Sequence, residues 1–178
     1  MKKNRWVIVF MFLGSLAFGH PHMWIDVNFD LHWEGQALSR LDVHWVFDLA
    51  FTEQILYDYD YNQDRRLSAE EVKDVKLYAF DNLQNLDYFV VLALNQTTQT
   101  MPPAENFQAW IEDDLLNYSF TLDFKKNYEG FLLTIADETN YIAMTVLTME
   151  NYGEYLANLK PQEVWVQLGI ISAKAYAF

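Results

Sequence analysis

Between Met23 and His32 every second residue is apolar. Met23, Ile25, Val27, Phe29 and Leu31 are interleaved with Trp24, Asp26, Asn28, Asp30 and His32. A period of two belongs to a half-buried strand, because successive side chains of an extended chain point to opposite faces. Residues 23–33 therefore predict one strand and Ala37–Phe47 a second, with Glu34-Gly35-Gln36 as the turn of a hairpin. Register decides what the polar face holds. If all three turn residues loop out, Asp26 faces His44 and His22 faces Asp48; if only Gly35 and Gln36 do, His44 moves to the other face. The three-residue reading gathers His22, Asp26, His44 and Asp48 on one side.

All four histidines (His20, His22, His32, His44) fall in the first quarter of the chain, and there is no cysteine. A transition metal bound here must be held by imidazole and carboxylate. His20, His22, Trp24 and Asp26 share one face of an extended segment, which sets the two imidazoles about 7 Å apart at ~3.4 Å per residue. What precedes them reads as a secretory signal peptide: basic Met1-Lys2-Lys3-Asn4-Arg5, an apolar run over 6–13, then small Gly14, Ser15, Ala17 and Gly19. The apolar run is too short for a membrane span. Cleavage after Gly19 makes His20 the first residue, whose α-amine and imidazole can chelate one metal together. Cleavage after Ala17 instead puts histidine third, where the amides of residues two and three join a square-planar copper or nickel chelate. With His20 first that chelate is excluded, since Pro21 has no amide proton. Cleavage after Gly19 is favoured, giving a signal peptide 1–19 and a single domain 20–178.

Removing Lys2, Lys3 and Arg5 from the twelve basic residues leaves nine against 25 acidic ones, a net charge of −16. So acidic a surface argues against nucleic acid or an anionic membrane as partner and suits cations. The 30 aromatic residues supply a well-filled core. An exported chain without cysteine has no disulfides, so packing and bound metal must hold it.

The most specific motif is Asp60-Tyr-Asn62-Gln-Asp64-Arg65-Arg66-Leu67-Ser68-Ala-Glu70-Glu71. Asp60, Asn62 and Asp64 occupy positions 1, 3 and 5 of an EF-hand calcium loop. Arg66 supplies a carbonyl at 7, Leu67 the apolar residue at 8, Ser68 position 9 and Glu71 position 12. Position 6 departs: it is Arg65 where glycine is expected, and a non-glycine residue in a left-handed conformation costs roughly 1–2 kcal/mol. Weak calcium binding is expected, with Kd of about 10⁻⁴–10⁻³ M and a structural role. The alternative is a helix–loop–helix whose acidic loop is merely solvated.

Helical spacing of Phe47, Phe51, Ile55 and Leu56 predicts a helix before this loop over 47–59. Val72, Val75, Ala79, Leu83 and Leu86 predict another after it over 69–86. Strands follow at 87–95, 107–112, 116–124, 131–136, 141–147 and 164–168, with 96–105 a loop and 151–160 a loop or short helix. The fold class is α+β: an antiparallel sheet with an EF-hand-like helix–loop–helix, about 48–86, inserted after the first hairpin.

The leader, His20-Pro21-His22-Met-Trp-Ile-Asp26, His44-Trp45-Val-Phe47-Asp48, the acidic loop and Asp87-Tyr88-Phe89 together resemble the exported domain-of-unknown-function family 1007. The resemblance covers the mature chain and is strongest over residues 20–89. It implies the periplasmic component of an ABC-type transport system linked to nickel/cobalt- or zinc-type transporters. The chain departs from the family at Arg65, where the family loop usually has glycine.

Each candidate also has a plainer reading. His20 and His22 can be solvated imidazoles at a strand start, and His44 a hydrogen-bonded, half-buried one. His32 beside Trp33 reads as a surface residue at the hairpin end. Asp26 serves as ligand, as orienting partner or as strand surface, and Asp48 caps the following helix. Trp24, Trp45, Phe47 and Phe51 read as core. There is no cysteine nucleophile, nucleophile-elbow pattern, phosphate loop or helical His-Glu-X-X-His, so no enzyme is expected. The expectation is a monomeric periplasmic protein that delivers or buffers zinc, nickel or cobalt for an inner-membrane transporter. Its ligands are His20, His22, His44 and Asp26, with calcium at Asp60, Asn62, Asp64, Arg66 and Glu71. The rival is a calcium-braced adaptor of the cell envelope with no transition-metal site.

Overall fold

A computed structural model describes residues 22–34, 37–94, 97–128, 131–135, 137, 142–150, 165–168 and 171–173. The signal peptide and His20 lie outside these residues, as does segment 151–160. The fold is mixed α/β and mostly antiparallel. Strands β1 (Met23–Glu34), β2 (Ala37–Phe47), β5 (Glu105–Glu112), β6 (Leu115–Tyr128) and β8 (Ile142–Glu150) form one sheet in the order β5-β6-β2-β1-β8. Strands β3 (Val90–Leu94), β4 (Thr97–Gln99), β7 (Phe131–Ile135), β9 (Trp165–Leu168) and β10 (Ile171–Ala173) form a second, ordered β10-β9-β7-β3-β4. The single sheet expected from sequence is thus two. Each contains one parallel pair, β1 with β8 and β7 with β9. Parallel partners are far apart in sequence and joined by long crossovers, so local patterning does not reveal them.

The alternation in β1 does what its period requires. Ile25, Val27, Phe29 and Leu31 are buried, while Trp24 and Asp26 are exposed and Asn28, Asp30 and His32 partly so. β2 adds Leu38, Leu41, Val43, Trp45 and Phe47 to the buried face, and β6 adds Leu116, Tyr118, Phe120, Leu122 and Phe124. Against this inner face pack the helical segment and the second sheet, through Ile55, Val75, Phe80, Val90, Leu92, Leu133 and Ile135, in one continuous core. The other face of the first sheet is mostly polar, with Trp24 and Trp110 also on it.

The hairpin register follows the expected two-residue turn at its start and departs from both expected pairings beyond Ser39. Near the turn Glu34 pairs with Ala37 and Trp33 with Leu38. Beyond an irregularity at Ser39, His32 pairs with Arg40, Asp30 with Asp42, Asn28 with His44 and Asp26 with Val46. The cause lies in β2 itself: Leu38 and Leu41, both fully buried, are three residues apart. One extra residue must bulge out for both to face inward. Ser39 is that residue, and its hydroxyl donates to the His32 carbonyl at 3.0 Å.

Helix α1 (Leu49–Tyr59) starts at Asp48, whose Oδ1 accepts the Phe51 amide at 2.8 Å. This is the capping role expected of it, and it leaves Phe47 in the strand. Helix α2 (Ala69–Val75) starts at Ser68 in a capping box with Glu71. The second helix expected over 69–86 does not run straight through. It continues as a π-helical turn over Lys76–Phe80 and a 3-10 segment over Asp81–Phe89, in which Asp87 and Tyr88 have positive φ. These changes of winding reset the helical phase, so Leu86 is exposed while Phe80, off the expected stripe, is buried. Trp24, expected in the core, is exposed on the outer face.

Candidate functional site

Residues 60–71 fold into a loop whose polar side chains turn onto its own backbone. Asp60 ends α1 and is buried; its Oδ1 accepts the Asp64 amide at 3.2 Å and its Oδ2 the Arg65 amide at 2.8 Å. Asn62 Oδ1 accepts the Asp64 amide at 2.9 Å, and Asp64 Oδ1 accepts the Arg66 amide at 2.9 Å. Glu71, only 3% exposed, closes the loop by accepting the amides of Tyr61 at 2.8 Å and Ser68 at 2.7 Å. The Ser68 amide and hydroxyl, with the amides of Tyr61 and Asn62, hold the Glu71 carboxyl below the usual carboxylate range against the opposing effect of burial. Arg65 takes the left-handed backbone that glycine ordinarily supplies, with φ of 60°. Its guanidinium forks onto Glu53, at 2.7 and 3.2 Å. That hydrogen bond raises the Arg65 pKa and lowers the Glu53 pKa.

The donor set fits a hard cation: Asp60, Asn62, Asp64 and Glu71 offer oxygens with lone pairs beyond those given to amides. Arg66 is exposed and contributes its carbonyl position only by sequence.

The histidine-bearing face is the outer face of the first sheet. His22 is exposed at the entry to β1. Asp26 is exposed too and pairs with Val46 and Thr145, not with His44. His44 is half-buried: its Nε2 lies 2.8 Å from Asn117 Oδ1, and its ring stacks on Trp110 at 5.4 Å. Asp48 is occupied twice, by the Phe51 amide and by the Trp24 amide at 2.6 Å. His22, Asp26 and His44 share a face, yet the described structure does not draw their donor atoms into one group.

Among the described residues, the group whose donor atoms do converge is Asp30, His32 and Asp42, all within 4.8 Å of one another. His32 Nε2 lies 2.7 Å from Asp42 Oδ2 and 3.5 Å from Asp30 Oδ2. Arg40 lies across the imidazole, 2.9 Å from Nε2 and 3.2 Å from Nδ1, and bonds Asp42 at 3.1 Å. Asp42 Oδ1 accepts the Thr121 hydroxyl at 2.8 Å. Beside the cluster a groove of about 470 Å³ runs over β1, β2, β6 and β5, lined by Asn28, Asp30, Asp42, His44, Gln108 and Thr121 among others. The sequence reading left His32 on the surface and passed over Asp30, Arg40 and Asp42. The three-residue step from Leu38 to Leu41 was the available signal, since a bulge there sets Asp30 opposite Asp42.

Fold and faces together define a two-sheet α/β protein with an oxygen-rich loop beside its helices and an imidazole–carboxylate cluster on an open sheet face. The chain belongs to the family described as "Protein of unknown function (DUF1007)", whose profile matches residues 6–158. It is similar to an uncharacterised protein of Haemophilus influenzae (strain ATCC 51907 / DSM 11121 / KW20 / Rd), at 26% identity over 143 residues. That alignment takes in 77% of this chain and 66% of the relative, so the chain spans about two thirds of the relative's length. No solved structure matches. Among the described residues no helix is long and apolar enough to cross a membrane.

Proposed function

We propose that this chain is an exported, periplasmic metal-binding protein that delivers or buffers a divalent transition metal, zinc, nickel or cobalt, for an inner-membrane transporter. A calcium ion in an EF-hand-like loop over residues 60–71 braces helices α1 and α2. The observation that carries the calcium part of the reading is the loop itself. Asp60 and Glu71 are buried at the first and closing positions, and Arg65 adopts the left-handed turn although it is not glycine. Export is supported by the basic and apolar leader, and transition-metal handling by the histidines crowded into the first hairpin. The test is metal titration of the mature protein, with its native amino terminus, in millimolar calcium. Sub-micromolar binding of zinc, nickel or cobalt supports delivery or buffering. A comparison with His20→Ala/His22→Ala asks whether the amino-terminal histidines hold the ion.

A second reading is favoured by one observation: His44 is already committed to Asn117 and Trp110. In that reading the protein is a calcium-braced adaptor of the cell envelope. It binds calcium and no transition metal in the same titration.

A further inference from the structure

We infer that Asp30, His32 and Asp42 are the ligands of a zinc-type divalent ion on the outer face of the first sheet, with its open coordination positions toward the adjoining groove. This deepens the metal-handling reading and rests on it, while moving the ligands from the amino terminus to the middle of the hairpin.

The argument begins with a cost. Asp30 and Asp42 are directly opposed across an antiparallel pair, and like charges so placed repel unless a cation lies between them. The side chains of Asp30, His32 and Asp42 are only 32–37% exposed, so water screens the repulsion incompletely. Both carboxylates converge on the same ring nitrogen, Nε2, at 2.7 and 3.5 Å. Donors bound to zinc at ~2.0–2.2 Å in tetrahedral geometry lie about 3.3–3.6 Å from one another. Small side-chain rotations therefore bring the three donors onto one ion. One imidazole with two carboxylates suits zinc or cobalt and offers nothing soft enough to select Cu(I). Three protein ligands leave at least one position open, and Asp30 and Asp42 belong both to the cluster and to the wall of the groove. The open position thus faces a cavity of about 470 Å³ in which water or a small chelating molecule fits.

Arg40 marks the cation position. It touches the imidazole and Asp42, yet its side chain is 45% exposed, so it can swing into solvent. The hydrogen bond to Asp42 requires the ring proton on Nε2, because a carboxylate oxygen there is an acceptor. An ion takes the Nε2 lone pair, the ring proton moves to Nδ1, and Nδ1 no longer accepts from Arg40. Metal entry and Arg40 contact are therefore exclusive.

The test is Co(II) titration of the mature full chain with its native amino terminus, in millimolar calcium, followed by the visible d–d bands and by Zn(II) competition. His32→Ala and Asp42→Asn are expected to weaken binding about tenfold or more, and Arg40→Gln to tighten it about fivefold. Circular dichroism checks that each variant is folded. Asp42→Asn keeps the side-chain volume, and so tests the site even if His32→Ala disturbs the hairpin. Wild-type affinity in both His32→Ala and Asp42→Asn, with loss in His20→Ala/His22→Ala, overturns this site while the metal-handling reading stands. No Co(II) or Zn(II) binding by the wild-type chain overturns both.

Discussion

The loop at residues 60–71 and the cluster of Asp30, His32 and Asp42 are both gatherings of carboxylates, but they are assembled in opposite ways. The loop is contiguous. Its side chains bond amides at most ten residues away, and its two flanking caps, Asp60 and Ser68, belong to the same stretch. The cluster takes two residues from β1 and one from β2, a third contact from Thr121 on β6, and its existence depends on which residue of β2 bulges. Local chemistry specifies the first almost completely. The second is specified by register, in which a slip of one residue turns a whole strand over.

Inserting one residue between Leu41 and Asp42 should break that comparison most severely. The insertion reverses the alternation beyond Leu41, so Val43, Trp45 and Phe47 face outward. The expected result is loss of the cooperative unfolding transition in far-ultraviolet circular dichroism. An insertion variant that melts at the wild-type temperature means that the alternation beyond Leu41 does not hold the core.

Glu71→Gln probes the contiguous site. It keeps the shape but weakens the charge-assisted bonds to the Tyr61 and Ser68 amides, at an expected cost of about 1–2 kcal/mol in urea unfolding at neutral pH. The Glu71 carboxyl is held below the usual range in the folded protein. Its contribution is therefore complete above the unfolded-state value of about 4.3 and is lost as the pH falls through the lower folded value. The gap between wild type and Glu71→Gln should close on acidification. A gap that persists at pH 2 points to packing instead of charge.

Arg65→Gly sharpens the cation reading of the loop. It removes the strain of a side chain at φ of 60° while giving up only an exposed ion pair with Glu53. Calcium binding should tighten about five- to tenfold by calorimetric titration. Unchanged affinity makes Arg65 irrelevant to it.

The smallest effect is expected at His44→Gln, which loses the Trp110 stack but can still reach Asn117. A loss below about 1 kcal/mol in thermal unfolding fits a packing role. A much larger one marks His44 as part of a network that extends beyond Asn117.

Much of the fold was legible because the physics is local. The alternation from Met23 to Leu31 fixed a strand and its buried face, Asp48 and Ser68 fixed two helix starts, and Asp60, Asn62, Asp64 and Glu71 fixed a loop. The second helix was legible only as far as Val75. Beyond it the winding changes, and Phe80 instead of Leu86 meets Phe107 and Phe120. The candidate ligands divide in the same way. The residues that turn onto the loop's own backbone could be named from their spacing, whereas Asp26 and His44 were matched through a register that the structure replaces, with Asn28 opposite His44.

By itself, then, the sequence determined which faces are apolar, where helices begin, and which residues lie in one acidic loop, since each depends on neighbours within a few positions. Only the tertiary structure decided that there are two sheets, that β8 lies parallel to β1, and that Asp30 and Asp42 share an imidazole. The reason is physical: strand partners are chosen by burying one face of every strand at once, and no single segment holds that information.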